Sequence, residues 1–275
     1  MGTIGIVKSS VAKVVRRGRR VAWTPEFMRL GNLLYVGLWA FSGRERRVLL
    51  HASRRQSVEM FPMLRRSLFI DRSEVRMTDR RELPWRSESR NPDVGFDPGE
   101  LGPYIREMLL PESPVLRAPE WVRGGDLVVN VRRGDYFGTP HQSEYGMNTV
   151  AYTLQAVEEA IAEAGTPTRL VIVSDDLFWC AQNLRPVLDD IAPVSLMDGG
   201  VVEDLQALVH APRLIVPNST FSYWGGYIGD ELRPGRQVVA PIFFGRLMND
   251  GRAHQLRPHW HVVRDIPGGW AATGP

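Results

Sequence analysis

Beyond Gly125 the chain repeats one pattern: a short, largely apolar run, a segment with helical spacing, then another apolar run. LVVNV (127–131), RLVIVSDD (169–176), APVSLMD (192–198), RLIVPN (213–218) and QVVAP (237–241) are the apolar runs. Between the first two, residues 148–164 place Val150, Leu154, Val157 and Ile161 on one helical face and stop before Gly165. LFWCAQNL, VEDLQALVHA and STFSYWGGYIG open the later helices. A strand with no polar face needs cover on both sides, which the intervening helices supply. The pattern therefore predicts a parallel, doubly wound α/β domain over roughly residues 125–265.

The first half is less regular. VAW (21–23) reads as a strand, MRLGNLLYVGLWAF (28–41) as a helix entered through a Gly-Asn turn, RVLLHA as a strand, and VEMFPMLRR as a short helix broken by Pro62. From Asp71 to Pro114 the pattern decays into Arg, Pro, Ser and Glu, predicting loops with at most one amphipathic helix around PYIREMLLP. This makes a second, smaller α/β unit ahead of the first.

Composition narrows the function classes. No apolar run approaches the roughly 20 residues that span a bilayer, and no secretory h-region follows the N-terminus. Cys180 is the single cysteine, so neither an internal disulfide nor a multi-cysteine zinc site is available. These features read as a cytoplasmic protein. A net charge of +3 does not call for nucleic acid, and no RNP-type signature is present. Residues 1–20 join Lys8, Lys13, Arg16, Arg17, Arg19 and Arg20 to Ile6, Val11, Val14 and Val15. Such a segment suits peripheral contact with anionic lipid at the inner face of a membrane; the competing reading is a basic lead-in to the first strand. Walker, Gly-x-Ser-x-Gly and His-Glu-x-x-His motifs are all missing, which argues against an ATPase, a serine hydrolase of that type and a zinc protease.

In open parallel sheets, ligands bind outside the carboxyl ends of the strands. Three polar clusters fall there: Arg132, Arg133 and Asp135; Ser174, Asp175 and Asp176; and Asn218, Ser219 and Thr220. Guanidinium forks suit phosphate oxygens. Adjacent side chains on extended backbone point opposite ways, so one arginine, Arg132, is aimed at the ligand, with Arg133 bracing it or pairing with Asp135. A ligand-free Arg–Asp bridge is the competing reading. Asn218, Ser219 and Thr220 serve as helix caps or, with free N–H groups behind them, as an anion site. Asp175 and Asp176 suit a ribose hydroxyl, a base N–H, a metal or a helix cap. Asp204 complements a helix N-terminus or bonds a nucleotide. His141, Glu144 and His210 stand alone in sequence, and no cluster has the spacing of a tight divalent-metal site.

NVRRGDY, VIVSDDLFWCAQNL and DLQALVHAPRLIVPNSTFSYWGGYI together resemble the α-1,2-fucosyltransferase family, with its H-x-RRGDY and NSTFSWWGA motifs in the same order. RLGNLLYVGLWA resembles that family's Gly-Leu-Gly-Asn helix entry, and RPHWHVV its closing Pro-x-Trp segment. The resemblance implies a GT-B type fold: two Rossmann-like domains with a cleft between them, residues 1–120 on the acceptor side and 121–275 binding the GDP-sugar. It implies an inverting, metal-independent transfer of L-fucose from GDP-β-L-fucose to a sugar hydroxyl, usually the 2-hydroxyl of a galactoside, with no cofactor. Members act on carbohydrate or glycoconjugate acceptors, and the bacterial ones decorate surface polysaccharides, glycolipids or secondary metabolites.

On the same ground, Arg132 holds the donor's β-phosphate, with Asn130, Arg133 and Asp175 beside it. Asn218, Ser219, Thr220 and Phe221 line the diphosphate, Asp204 contacts the guanosine, and Gly31 and Asn32 shape the cleft. Asp135 is the nearest candidate for the catalytic base, with Glu144 and His141 behind it. Three departures stand out: Asn130 where the family has His, Tyr223 for the first Trp of a pair, and APIFFGR for a more basic segment.

Overall fold

The computed structural model describes residues 18–83, 98–247 and 249–271. The basic segment at residues 1–20 lies outside them as far as residue 17. The chain divides into two compact units between Ser113 and Pro114. Both sheets are parallel throughout.

The first unit holds a four-stranded sheet of order β3-β2-β1-β4: β1 (Arg20–Trp23), β2 (Arg46–Leu49), β3 (Phe69–Ile70) and β4 (Arg80–Glu82). Helix α1 (Leu30–Phe41) follows β1 and buries residues around most of its circumference, including Leu33, Leu34, Tyr35, Val36 and Leu38. An all-round apolar helix of this kind belongs inside a unit rather than on its surface. Gly31 and Asn32 lie in its first turn.

Two details depart from the sequence reading. Pro62 does not break a helix; it starts one, at the first position of Pro62–Ser67, after a separate turn at Arg55–Val58. A missing N–H costs nothing at that position. Between Asp71 and Pro114 there is a strand, β4, as well as a helix, α2 (Pro98–Tyr104), that continues into a wider turn at Ile105–Leu109. β4 reads Arg-Arg-Glu and carries no apolar signal. Ion pairs flank it instead, Arg19–Asp79 at 2.8 Å and Arg20–Glu82 at 3.0 Å.

The second unit is a six-stranded sheet of order β10-β9-β8-β5-β6-β7. Its strands are β5 (Asp126–Val131), β6 (Arg169–Ser174), β7 (Val194–Met197), β8 (Arg213–Ile215), β9 (Gln237–Pro241) and β10 (His261–Val263). Helices α3 (Thr149–Ala164), α4 (Leu177–Asn183), α5 (Val201–His210) and α6 (Thr220–Leu232) connect them. Every residue of β5 is buried, including Asp126, which pairs with Arg169 at 2.6 Å. Asn148 caps α3 by accepting the Ala151 N–H, and Gly165 ends that helix at φ 78°. The sixth strand, β10, was not expected; it is three residues long and only Val263 is fully buried, too little for a pattern to register.

Read from the far edge, the order β7-β6-β5-β8-β9-β10 reverses direction between β5 and β8. This is the arrangement of doubly wound nucleotide-binding sheets, whose ligands sit at the reversal. Chain direction alone thus brings Arg132, after β5, beside Asn218, after β8.

α5 and α6 are joined to this sheet by Arg236, at the foot of β9. Its guanidinium donates to the carbonyls of Leu208, Val209 and Ala211 at the end of α5, and to those of Gly225 and Gly226 within α6. Asp230 balances the charge at 3.2 Å and also accepts from Trp260 Nε1 at 2.7 Å. A Cβ on Gly229 would lie 2.2 Å from Arg236 Cζ, so only glycine admits the guanidinium there.

Candidate functional site

β5 delivers Arg132 and Arg133 to the reversal point in different environments. The Arg132 side chain is about one-fifth exposed and holds two carboxylates: Asp135, three residues on, and Asp175 from the end of β6, at 2.6 Å. Arg133 turns inward. Its guanidinium lies 3.8 Å from the ring centres of both Phe137 and Trp179, with Asp176 at 3.6 Å. Burial holds its pKa below the ordinary guanidinium value. The opposed orientation expected for neighbouring residues is therefore what the fold contains. The alternative pairing of Arg133 with Asp135 is replaced by Arg132–Asp135 and Arg133–Asp176.

Asp175 ties the two arginines together. One oxygen faces Arg132, and the other accepts the backbone N–H of Arg133 at 2.8 Å. A Cβ on Gly134 would lie 2.3 Å from that carboxylate, which is why the turn needs glycine at this place. Asp176 caps α4 by accepting the Trp179 N–H at 3.0 Å.

Tyr136 joins this cluster to the start of α6. Its ring lies 5.4 Å beneath the Arg132 guanidinium and stacks on Tyr145 at 5.0 Å, and its hydroxyl donates to the Asn218 carbonyl at 3.3 Å. Burial pushes the phenol above its usual range, keeping it a neutral donor. Asn218 is itself buried and donates to the carbonyls of Tyr145 and Phe244 at 2.9 and 2.8 Å. Ser219 follows as the residue preceding α6, with extended backbone and no side-chain cap bond; Thr220 and Phe221 form the first turn, half-buried. The first N–H groups of such a helix have no intrahelical acceptor and carry partial positive charge.

Asn130, at the family's histidine position, is occupied across the reversal. Its amide nitrogen donates to the Val173 carbonyl at 2.8 Å, and its oxygen accepts from the Ser222 hydroxyl in α6. It splints β5 to β6 and to α6.

Asp204 stands in the first turn of α5. Burial, then Glu203, Asp198 and Asp175, push its carboxyl up to about 7. An ordinary aspartate is fully ionised at neutral pH, whereas this one is divided between acid and carboxylate. His210, at the other end of α5, contacts the Val115 carbonyl at 2.9 Å, and burial lowers its pKa, a structural placement. Glu144 accepts the Leu247 N–H at 3.0 Å and so anchors the loop after β9. The buried Cys180 thiol is pushed up to about 11, which makes it a poor nucleophile. Gly31 and Asn32 belong to the first unit. Among the described residues no group of three or more His, Cys, Asp or Glu is placed to hold a metal ion.

Four contributors were not singled out from sequence: Tyr136, Phe137, Trp179 and Ser222. The first two stand directly after the RRGD run, so their aromatic character was a readable signal. Trp179 and Ser222 act only through partners distant in the chain.

A curated relative, an α-1,2-colitosyltransferase of Escherichia coli, is 26% identical over 102 residues, covering 36% of this chain and 35% of that protein. The chain thus matches only about a third of the relative's length. Residues 122–236 hold the stretch from β5 to the end of α6 and the whole cluster around Arg132, and that span matches the family model described as glycosyl transferase family 11.

Proposed function

We propose that the protein is a glycosyltransferase that takes a GDP-sugar donor and a carbohydrate or glycoconjugate acceptor. The observation that carries this reading is the placement of Arg132 and the α6 N-terminus, joined through Tyr136, at the strand-order reversal within the family 11 span. The Arg132 fork and the first N–H groups of α6 offer a diphosphate positive charge from two strand ends. Both would gain strength as negative charge develops on departing GDP, which is where fixed donors accelerate transfer.

In its finer form the donor is GDP-β-L-fucose, transferred with inversion to a sugar hydroxyl such as the 2-hydroxyl of a galactoside. Ser219, Thr220 and Phe221 line the diphosphate, and Asp204 accepts from the guanine base. Gly31 and Asn32 belong to the acceptor side of a GT-B arrangement. Asp135 takes the proton of the acceptor hydroxyl as the new glycosidic bond forms and the bond to phosphate breaks. Arginine and helix N–H groups supply the countercharge, so the reaction proceeds without metal. A second reading, transfer from another GDP-sugar, is favoured by the colitosyl activity named for the relative. Among the described residues no helix is long and apolar enough to cross a membrane. A cytoplasmic site of action, with residues 1–20 touching the inner membrane surface, accompanies the proposal.

Parallel calorimetric titrations with GDP, UDP and ADP, in excess EDTA, test it. GDP-selective binding is expected, followed by turnover of GDP-fucose with galactoside acceptors. Equal binding of the three nucleotides, or none, defeats the donor assignment. Selective binding without turnover of any GDP-sugar leaves a non-catalytic binding protein.

A further inference from the structure

The donor role proposed for Arg132 raises a question of charge. Its guanidinium already holds Asp135 on one nitrogen and Asp175 on the other, so the cluster is a net anion before any ligand arrives. A diphosphate adds at least two further negative charges. Three anionic groups around one guanidinium repel one another strongly in a partly buried site. One carboxylate has to leave the fork.

The two carboxylates are held very differently. Asp175 is fixed from both sides. Its other oxygen takes the Arg133 N–H, Arg133 is sandwiched between Phe137 and Trp179, and Gly134 packs directly against the carboxylate. Displacing it would disturb the end of β5, the start of α4 and the turn between them. Asp135 sits on the single helical turn Gly134–Tyr136, with its side chain one-third exposed. It reaches Arg132 from only three residues away, so rotation of its own side chain takes it off the fork.

We propose that Asp135 is a built-in stand-in for the donor phosphate. It occupies the free edge of the Arg132 fork in the unliganded protein and is exchanged for a phosphate oxygen when a nucleoside diphosphate enters. Asp175 stays in place and keeps the fork aimed. This inference rests on the donor reading of Arg132 and adds a consequence to it. The same exchange that seats the donor frees the carboxylate proposed to receive the acceptor's proton, so the base is withheld until the donor is bound. Until then Asp135 is held by Arg132.

The test is calorimetric titration of the full chain with GDP, comparing wild type with Asp135→Asn, Asp175→Asn and Arg132→Ala, at low and at high salt. Asp135→Asn removes the competitor and is expected to tighten GDP binding roughly three- to tenfold, the scale of a partly exposed ion pair. The gain persists at high salt, because a contact exchanged at the fork is not screened as a distant field is. Turnover by the same variant falls, giving a lower Kd with a lower kcat, a split that simple loss of structure does not produce. Asp175→Asn is expected to weaken binding, with a circular-dichroism melt reporting whether the fold is kept. Weaker or unchanged binding in Asp135→Asn, a gain that vanishes at high salt, or tightening by Asp175→Asn instead would overturn the exchange while leaving the donor site standing. Wild-type binding by Arg132→Ala would overturn the donor reading itself, so the two failures are distinguishable.

Discussion

Asp204 offers the most quantitative handle on the proposed donor site. Its carboxyl is pushed up to about 7 by burial and by Glu203, Asp198 and Asp175. In the proposed complex it accepts hydrogen bonds from guanine, which requires the ionised form. The apparent Kd then scales as one plus the ratio of acid to carboxylate. With a pKa of about 7, that factor is about 11 at pH 6 and about 1.1 at pH 8, so GDP binds about tenfold more tightly at pH 8. GDP's own phosphate titrates nearby, so the useful quantity is the ratio of wild type to Asp204→Asn at each pH, in which that contribution cancels. The ratio should move about tenfold in favour of wild type between pH 6 and pH 8. The same group acts on stability in the opposite direction. Its folded pKa lies above its unfolded value, so the folded chain binds the extra proton between about pH 4 and pH 7, and stability falls as pH rises through that window. Asp204→Asn should flatten the decline in a melting series. A wild-type to variant ratio that is flat from pH 6 to pH 8 would refute the contact with the base. A flat stability difference would refute the raised pKa.

Three further outcomes follow from the geometry. Arg132→Ala deletes the proposed charge-assisted phosphate contact and should weaken GDP binding about ten- to a hundredfold in calorimetric titration. Gly134→Ala places a methyl group against the fixed Asp175 carboxylate and should cost about 1–3 kcal/mol in chemical denaturation, together with GDP affinity; a silent substitution would show that Asp175 is not locked. Trp179→Leu removes one face of the Arg133 sandwich and should cost about 1–2 kcal/mol, most of which Trp179→Phe restores, since an aromatic face and not bulk alone holds the guanidinium.

The sheet of the second unit was legible because β5, β6 and β9 are continuous apolar runs buried on both faces, a signal that short polar strands lack. β3, β4 and β10 have two or three residues each, and β4 is Arg-Arg-Glu. Their pairing is decided by the neighbouring strand and by ion pairs, not by their own pattern. The edge carrying the site was legible from the same rhythm, since the polar clusters had to follow the apolar runs. What no local pattern supplies is the state of each group. Asp204 looks like an ordinary first-turn acid, and its raised pKa comes first from burial and then from its neighbour Glu203, from Asp198 and from the distant Asp175. Asn130 reads as a ligand residue by position, yet its amide is spent on Val173 and Ser222. Arg132 and Arg133 are adjacent and chemically identical; alternation sends them opposite ways, and the packing of Trp179 and Phe137 shows how the inward one is held.

The Arg236 junction has a consequence for the order in which the chain becomes native. α5 and α6 are complete in sequence by Leu232, and the residues proposed to hold the donor precede them or lie within them. The last carbonyls of α5 nonetheless accept from Arg236, which lies beyond both helices. A growing chain that stops short of this residue leaves those acceptors without this donor and Asp230 without this countercharge. The second unit therefore matures late, as a latch closed from its far side. A ribosome that has made every proposed donor-site residue of this half still has to release the foot of β9 before the site can hold its shape.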